Sequence, residues 1–294
     1  LIIETRFRGP DGSGNGGYVA GALAGHLSTD TVTVTLRRPP PLGTELTVSV
    51  EDERGLSARL WHGETLIAEA LAGAIVVPPV AAVPYEAAVE AAQGFRGVDD
   101  HPFPGCFVCG TEREPGDGLR LMPGPVVDDT VAAPWTPAEE PGPELVWAAL
   151  DCPGGWSFLQ PGGTSVLGTM TAQVTGVPAA GEQCVVMGLT RTREGRKTHT
   201  ATALYGADGR LLGRAEQIWL EVDPAQFAPS AEPVPADAEP APAAEPAPAA
   251  EAGPAAENVA ATEDVPAVRP EMPPTVNFAP SEIRPSVEHF CSSS

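Results

Sequence analysis

Between residues 30 and 80 the chain alternates apolar and polar positions with a period of two, the spacing of strands with one buried face. The runs are 32-VTVTL-36, 46-LTVSV-50, 57-SARLW-61 and 66-LIAEALAGAIVV-77. The pattern returns in 170-MTAQV-174, 184-CVVMGL-189, 198-THTATALYG-206 and 211-LLGRAEQIWLEV-222. Glycine-containing turns, 62-HGE-64 and 206-GADG-209, join strand to strand as hairpins. Ahead of each set lies an apolar stretch opened by Gly-Gly and an aromatic, 16-GGY-18 and 154-GGW-156, long enough for a helix. A leading strand is expected near 3-IETRFRG-9 and again near 129-DTVAAPW-135.

These elements form an internal repeat. Gly16 falls on Gly154 and Gly43 on Gly181 at one offset of 138 residues (154 minus 16). Each copy reads strand, helix, then several antiparallel strands, which predicts a two-layer α+β unit. Composition changes near Pro224. Beyond it the chain is Ala, Pro and Glu, as in 238-AEPAPAAEPAPAAEAGPAAE-257, with too little apolar bulk for a core. The expected organisation is a first unit over residues 1–90 and a connecting segment over 91–127 that holds a CxxC. A second unit follows over 128–224, then a disordered Ala/Pro/Glu-rich tail over 225–294. Residues 272–290 regain Val, Ile and Phe, and read either as a disordered end or as a docking peptide for another protein.

Charge narrows the function. Seventeen basic against 39 acidic residues give a net charge of −22, which disfavours nucleic acid and anionic membrane surfaces as partners. No apolar run reaches the ~20 residues of a membrane span, and no basic-then-apolar leader opens the sequence. Five cysteines spread thinly over 294 residues suit a reducing, cytoplasmic setting. Neither a Gly-x-Ser-x-Gly elbow nor a Walker or dinucleotide fingerprint is present.

The chemistry gathers in 147-WAALDCPGGWSFL-159. An acid three residues ahead of a Gly-Gly pair at a helix start suggests a general base, Asp151, beside oxyanion donors, the amides of Gly154, Gly155 and Trp156. On the residues alone, an acid before a helix with Pro153 in the first turn reads more readily as an N-cap, and the two roles are not exclusive. At the 138-residue offset Ser13 stands opposite Asp151 and Asn15 opposite Pro153; Asn15 offers at most a hydrogen-bond donor. Trp147, Trp156, Phe158 and Trp219 are either core or the wall of an acyl channel. Cys106-x-x-Cys109 is half of a zinc site. His101 and Cys152 are the residues available to complete it. No metal is expected, and Cys106 and Cys109 are the candidates if one binds. The loop 191-RTREGRKTH-199 is the densest basic cluster, so Arg191, Arg193, Arg196 and Lys197 are candidates for phosphate contact, with Arg37 and Arg38 as a second option.

The run 7-FRGPDGSGNGGYVAGALAGHL-27, with 36-LRRPPPLGTELTVSV-50 and a closing strand ending AEALAGAIV, resembles a thioesterase-like hotdog domain. The second copy resembles its partner in a double-hotdog chain, similar to the acyl-CoA thioesterase II family. The resemblance implies two tandem hotdog units, each a long helix wrapped by an antiparallel sheet, paired as an intrachain pseudo-dimer. It implies hydrolysis of acyl-CoA thioesters without an organic cofactor, and it leaves homo-oligomerisation open. It also implies a catalytic Asp at the helix entrance, matched by Asp151, and a Gln on the last strand, matched by Gln217. The expected hydroxyl matches Thr171 best, with Thr169 as competitor. The alternative is a non-catalytic double-hotdog module that binds an acyl group or a protein.

Overall fold

A run such as 184-CVVMGL-189 has no polar alternation because both of its faces are covered. The computed structural model describes residues 1–51 and 54–223; the tail expected over 225–294 and its docking peptide lie outside the described residues. Ten antiparallel strands form one sheet: β1 (Thr31–Leu36), β2 (Thr47–Val50), β3 (Ser57–His62), β4 (Thr65–Ala72), β5 (Gly124–Val127), β6 (Thr130–Trp135), β7 (Ser165–Val174), β8 (Cys184–Glu194), β9 (Lys197–Tyr205) and β10 (Leu211–Glu221). Their order is β2-β3-β4-β1-β7-β10-β9-β8-β6-β5. Outward from the β1–β7 seam the order is 1-4-3-2 on one side and 7-10-9-8 on the other.

The seam itself carries the 138-residue offset. Thr33 is the register partner of Thr171, and their hydroxyls share a hydrogen bond of 2.8 Å. Thr35 and Thr169 approach at 3.4 Å one pair along the same face. The expected leading strand at residues 3–9 is not a strand. It contains a 3-10 turn at Thr5–Phe7 and is held by isolated bridges, Ile2 to Glu45 and Arg8 to Gly14, and by backbone hydrogen bonds such as those from the Gly43 amide to the Ile3 carbonyl and from the Phe107 amide to the Arg8 carbonyl. Its counterpart near 129–135 is a full strand, β6, paired with β8.

Among the described residues three α-helices complete the fold: α1 (Gly16–Ala24), α2 (Tyr85–Ala92) and α3 (Pro143–Trp156). Helix α1 begins at the first Gly-Gly, as expected, capped by the side chain of Asn15, whose Oδ1 accepts from the Tyr18 amide at 2.9 Å. The second Gly-Gly is a correction. It closes α3 rather than opening it, because the helix starts eleven residues earlier, with Gly142 as N-cap and Pro143 at the first position. Gly154 and Gly155 are small for another reason. A Cβ on Gly154 would run into Gln217 Oε1, and one on Gly155 would lie 2.9 Å from the Trp219 ring. The Gly-Gly match between the copies thus equates a helix start with a helix end.

Helices α1 and α3 pack against each other in opposite directions: Gly17 meets Ala148 and Asp151, and Gly21 meets Glu144 and Trp147. The main core lies between these helices and the sheet. A second, smaller core covers the other face of β6, β8 and β9, where Val80, Ala88 and Ala91 pack on Ala132, Val185, Met187 and Ala203.

The α1–α3 contact has no room for a side chain at Gly17, where a Cβ would stand 2.5 Å from that of Asp151 and 2.7 Å from the Trp147 carbonyl. Gly17→Ala is expected to lower stability by about 1–3 kcal/mol through overpacking. The measurement is the urea midpoint, which should fall at unchanged slope.

Candidate functional site

The site forms where α3 crosses the start of α1. The first amides of a helix lack intrahelical partners and carry partial positive charge. Gly17 contributes one of them, donating to Asp151 Oδ2 at 2.9 Å. Asn15 Nδ2 donates to the same oxygen at 2.9 Å while its Oδ1 caps the helix. Asp151 is 2 % exposed, and its second oxygen, Oδ1, is buried with no hydrogen-bond partner. Burial pushes this carboxyl up to about 7. The Gly17 amide pulls the other way, the charge of Cys106 adds to the rise, and Asn15 opposes it.

Asp151, Asn15 and Gly16 line a cleft of about 290 Å³. Trp156, Leu167 and Trp219 give it an apolar wall, and Arg37 and Arg38 stand at its rim. Arg37 is committed to Glu69 at 2.7 Å. Arg38 is exposed and has no ion pair among the described residues. The Gly16 amide, at the first position of α1, has no partner among the described hydrogen bonds.

The other expected site residues lie elsewhere. The amides of Gly154, Gly155 and Trp156 sit in the last turn of α3, so they are not the free donors of a helix start, and the oxyanion expectation for them fails. Thr171 lies at the β1–β7 seam, bonded to Thr33, and does not line the cleft. Arg191, Arg193, Arg196 and Lys197 are exposed at the β8–β9 hairpin and do not line the cleft either. Arg191 donates to the Pro78 carbonyl at 3.3 Å, and the Arg193 guanidinium stacks over the Phe158 ring at 5.5 Å. Of the four aromatics named as channel candidates, Trp156 and Trp219 line the cleft, whereas Trp147 packs under Gly21.

Gln217 is brought near Asp151, but every polar atom it has is occupied. Pro153, inside α3, lacks an N–H, so the Ala149 carbonyl one turn back has no regular intrahelical donor. Gln217 Nε2 donates to the carbonyls of Leu150 at 2.7 Å and Asp151 at 3.1 Å; its Oε1 accepts from Thr200 at 2.8 Å and Trp219 Nε1 at 3.2 Å. Thr202 adds a hydrogen bond to the Leu150 carbonyl at 2.8 Å. Gln217 therefore holds the backbone that carries Asp151 and has no atom left for a water. Sequence reasoning gave Thr200 and Thr202 no role; the available signal is the alternation of Thr198, Thr200 and Thr202, three buried threonines on β9.

The connecting segment reaches the same cleft. Cys106, Cys109 and Cys152 are buried, and their sulfurs all lie within 4.8 Å of one another. Hydrogen bonds from the Cys109 and Cys152 thiols hold the Cys106 thiol well below the usual thiol range against the effect of burial. Burial pushes Cys109 up, and the hydrogen bond to Cys106 does the same for Cys152. His101 does not join them. The Phe103 amide donates to its Nδ1 at 3.0 Å, so the proton sits on Nε2, which donates to the Cys109 carbonyl at 3.1 Å.

Gln217→Leu leaves the Asp151 carbonyl, the Thr200 hydroxyl and the Trp219 N–H buried without their partner. A loss of about 1–3 kcal/mol is expected in the urea midpoint. A residue that acted on substrate would instead cost turnover at unchanged stability.

No protein-family model matches the chain, and no curated protein matches it. Solved structures do. The TesB protein of Mycobacterium avium subspecies paratuberculosis superposes with a TM-score of 0.50 at 13% identity, covering 73% of this chain and 89% of that one. A protein of unknown function with a hot dog fold from Alicyclobacillus acidocaldarius gives 0.48 at 12%, covering 75% and 91%. An acyl-CoA thioesterase II of Mycobacterium marinum gives 0.44 at 9%, covering 72% and 91%. At such identities the likeness is one of architecture: the chain shares the fold of the TesB protein.

Proposed function

We propose that the chain is an acyl-CoA thioesterase-type hydrolase whose base is Asp151. The observation that carries this reading is the unpaired, buried Oδ1 of Asp151 in a cleft at the N-terminus of α1. A carboxylate with one oxygen pinned by Gly17 and Asn15 presents the other in a fixed place. A water bound there gives its proton to Oδ1 as its oxygen bonds to the thioester carbon. The carbonyl oxygen gathers negative charge, which the Gly16 amide and the positive end of α1 stabilise. The C–S bond then breaks, and the proton held on Asp151 passes to the departing thiolate. The acyl chain lies along Trp156, Leu167 and Trp219, and Arg38 takes a phosphate of coenzyme A at the rim.

The two halves act as tandem hotdog units over residues 1–90 and 128–224, joined by 91–127. The mirrored strand order about the β1–β7 seam supports this pseudo-dimer. In this reading the halves divide the work. The first supplies the helix N-terminus and the second supplies the acid, so the chain has one site.

The test is thiol release by the full chain from short, medium and long acyl-CoAs. Asp151→Asn keeps the shape and removes the base, so turnover should fall by about 10²–10⁴-fold with an unchanged circular dichroism spectrum. Turnover untouched by this substitution removes Asp151 from the chemistry. Absence of turnover on every acyl-CoA supports the second reading, an acyl-binding module without catalysis, which the full occupancy of Gln217 and the seam position of Thr171 favour.

A further inference from the structure

We infer that Cys106, Cys109 and Cys152 form a three-thiolate site for zinc, with its fourth position turned to the cleft. The first two thiols come from a CxxC turn in the connecting segment, and the third comes from α3, one residue past Asp151. No carboxylate or imidazole joins them within the same 4.8 Å among the described residues.

Three features point to a metal. The Cys106 and Cys152 sulfurs are 3.8 Å apart, close to the edge of a tetrahedron built on Zn–S bonds of about 2.3 Å, which is about 3.8 Å. A Cβ on Gly110 would collide with the Cys106 and Pro104 carbonyls, so the backbone folds tightly behind the ligands. His101 braces the turn from outside through the Cys109 carbonyl, the kind of support that fixes metal ligands in place.

A separate observation marks the open side. Asp151 lines the same cleft as all three cysteines, and its Oδ1 is buried and lacks a donor. A water on the fourth position of the metal is a donor of the kind this oxygen lacks. Soft, buried sulfur ligands select zinc over magnesium or calcium. The ion also ties residues 106–109 to the end of α3. This inference does not depend on the hydrolase reading, because its readouts are metal content and spectrum.

The experiment uses the full chain purified under reductant. Zinc is measured by mass spectrometry, and the metal-free chain is titrated with Co²⁺. About one zinc per chain is expected, with a thiolate-to-cobalt charge-transfer band of three-sulfur intensity. Cys152→Ser should remove most of the zinc and weaken the band, while Cys184→Ser, altering a buried thiol of β8, should change neither. Cys106→Ser and Cys109→Ser give the same loss and serve if Cys152→Ser misfolds by circular dichroism. A wild-type chain that carries no zinc and gives no cobalt band, with its thiols free to react, overturns the site. A Cys106–Cys152 disulfide in protein kept reduced overturns it as well. Zinc that survives all three substitutions places the metal elsewhere and is equally fatal.

Discussion

Helices α1 and α3 touch along Gly17 and Gly21, and the site depends on that contact. Without side chains at these two positions α3 comes close enough for the Asp151 carboxylate to reach the amide of Gly17. Taking a carboxylate out of water costs several kcal/mol after relaxation. Two donors and the positive end of a helix offset part of that cost, and they do so for one oxygen only. The unpaired second oxygen is a local flaw in the packing of a well-satisfied core. Such flaws persist where the surrounding structure holds them in place, and they mark sites of chemistry more often than sites of stability.

The surrounding structure here is the end of α3. A proline within the last turn of a helix frees carbonyl groups, and free carbonyls in a core need donors. Gln217 and Thr202 donate to the carbonyls of Leu150 and Asp151, and Thr200 holds the Gln217 oxygen in turn, which is why polar residues are buried on β9 and β10. The same network explains Gly154 and Gly155. They let the helix end lie directly on the Gln217 amide and the Trp219 ring. A polar cluster of this kind fixes the position of the helix more sharply than apolar packing does, and Asp151 inherits that precision.

The connecting segment is the third contributor. Its CxxC turn lies against α3 beside Asp151, and His101 uses both ring nitrogens to hold that turn together. The start of α1, the end of α3 and the CxxC turn thus meet at the cleft, whose remaining wall comes from β7, β10 and the residues that follow β1. Cys106 adds charge near Asp151 and contributes to the raised affinity of that carboxyl for its proton.

Much of the architecture was legible from local pattern. Period-two alternation located eight of the strands, and the glycine turns located the hairpins, because a strand's side chains report their two faces directly. In the sheet, Thr33 and Thr171, which are 138 residues apart, are register partners. Asp151 and Gln217 were also legible as residues of interest. What each does was not. Gly-Gly reads as a helix start when the next residues are apolar, yet one such pair opens α1 and the other ends α3. The difference lies in what packs on them: a neighbouring helix at Gly17, a glutamine and a tryptophan at Gly154 and Gly155. Likewise no spacing rule brings Cys152 to Cys106, or Asp151 to Gly17, across more than 40 and 130 residues of chain. The sequence by itself determined which segments alternate, turn and repeat, since those depend on neighbours along the chain. The tertiary structure alone decided which oxygen of Asp151 is free and which thiols meet, since hydrogen bonding and burial depend on neighbours in space.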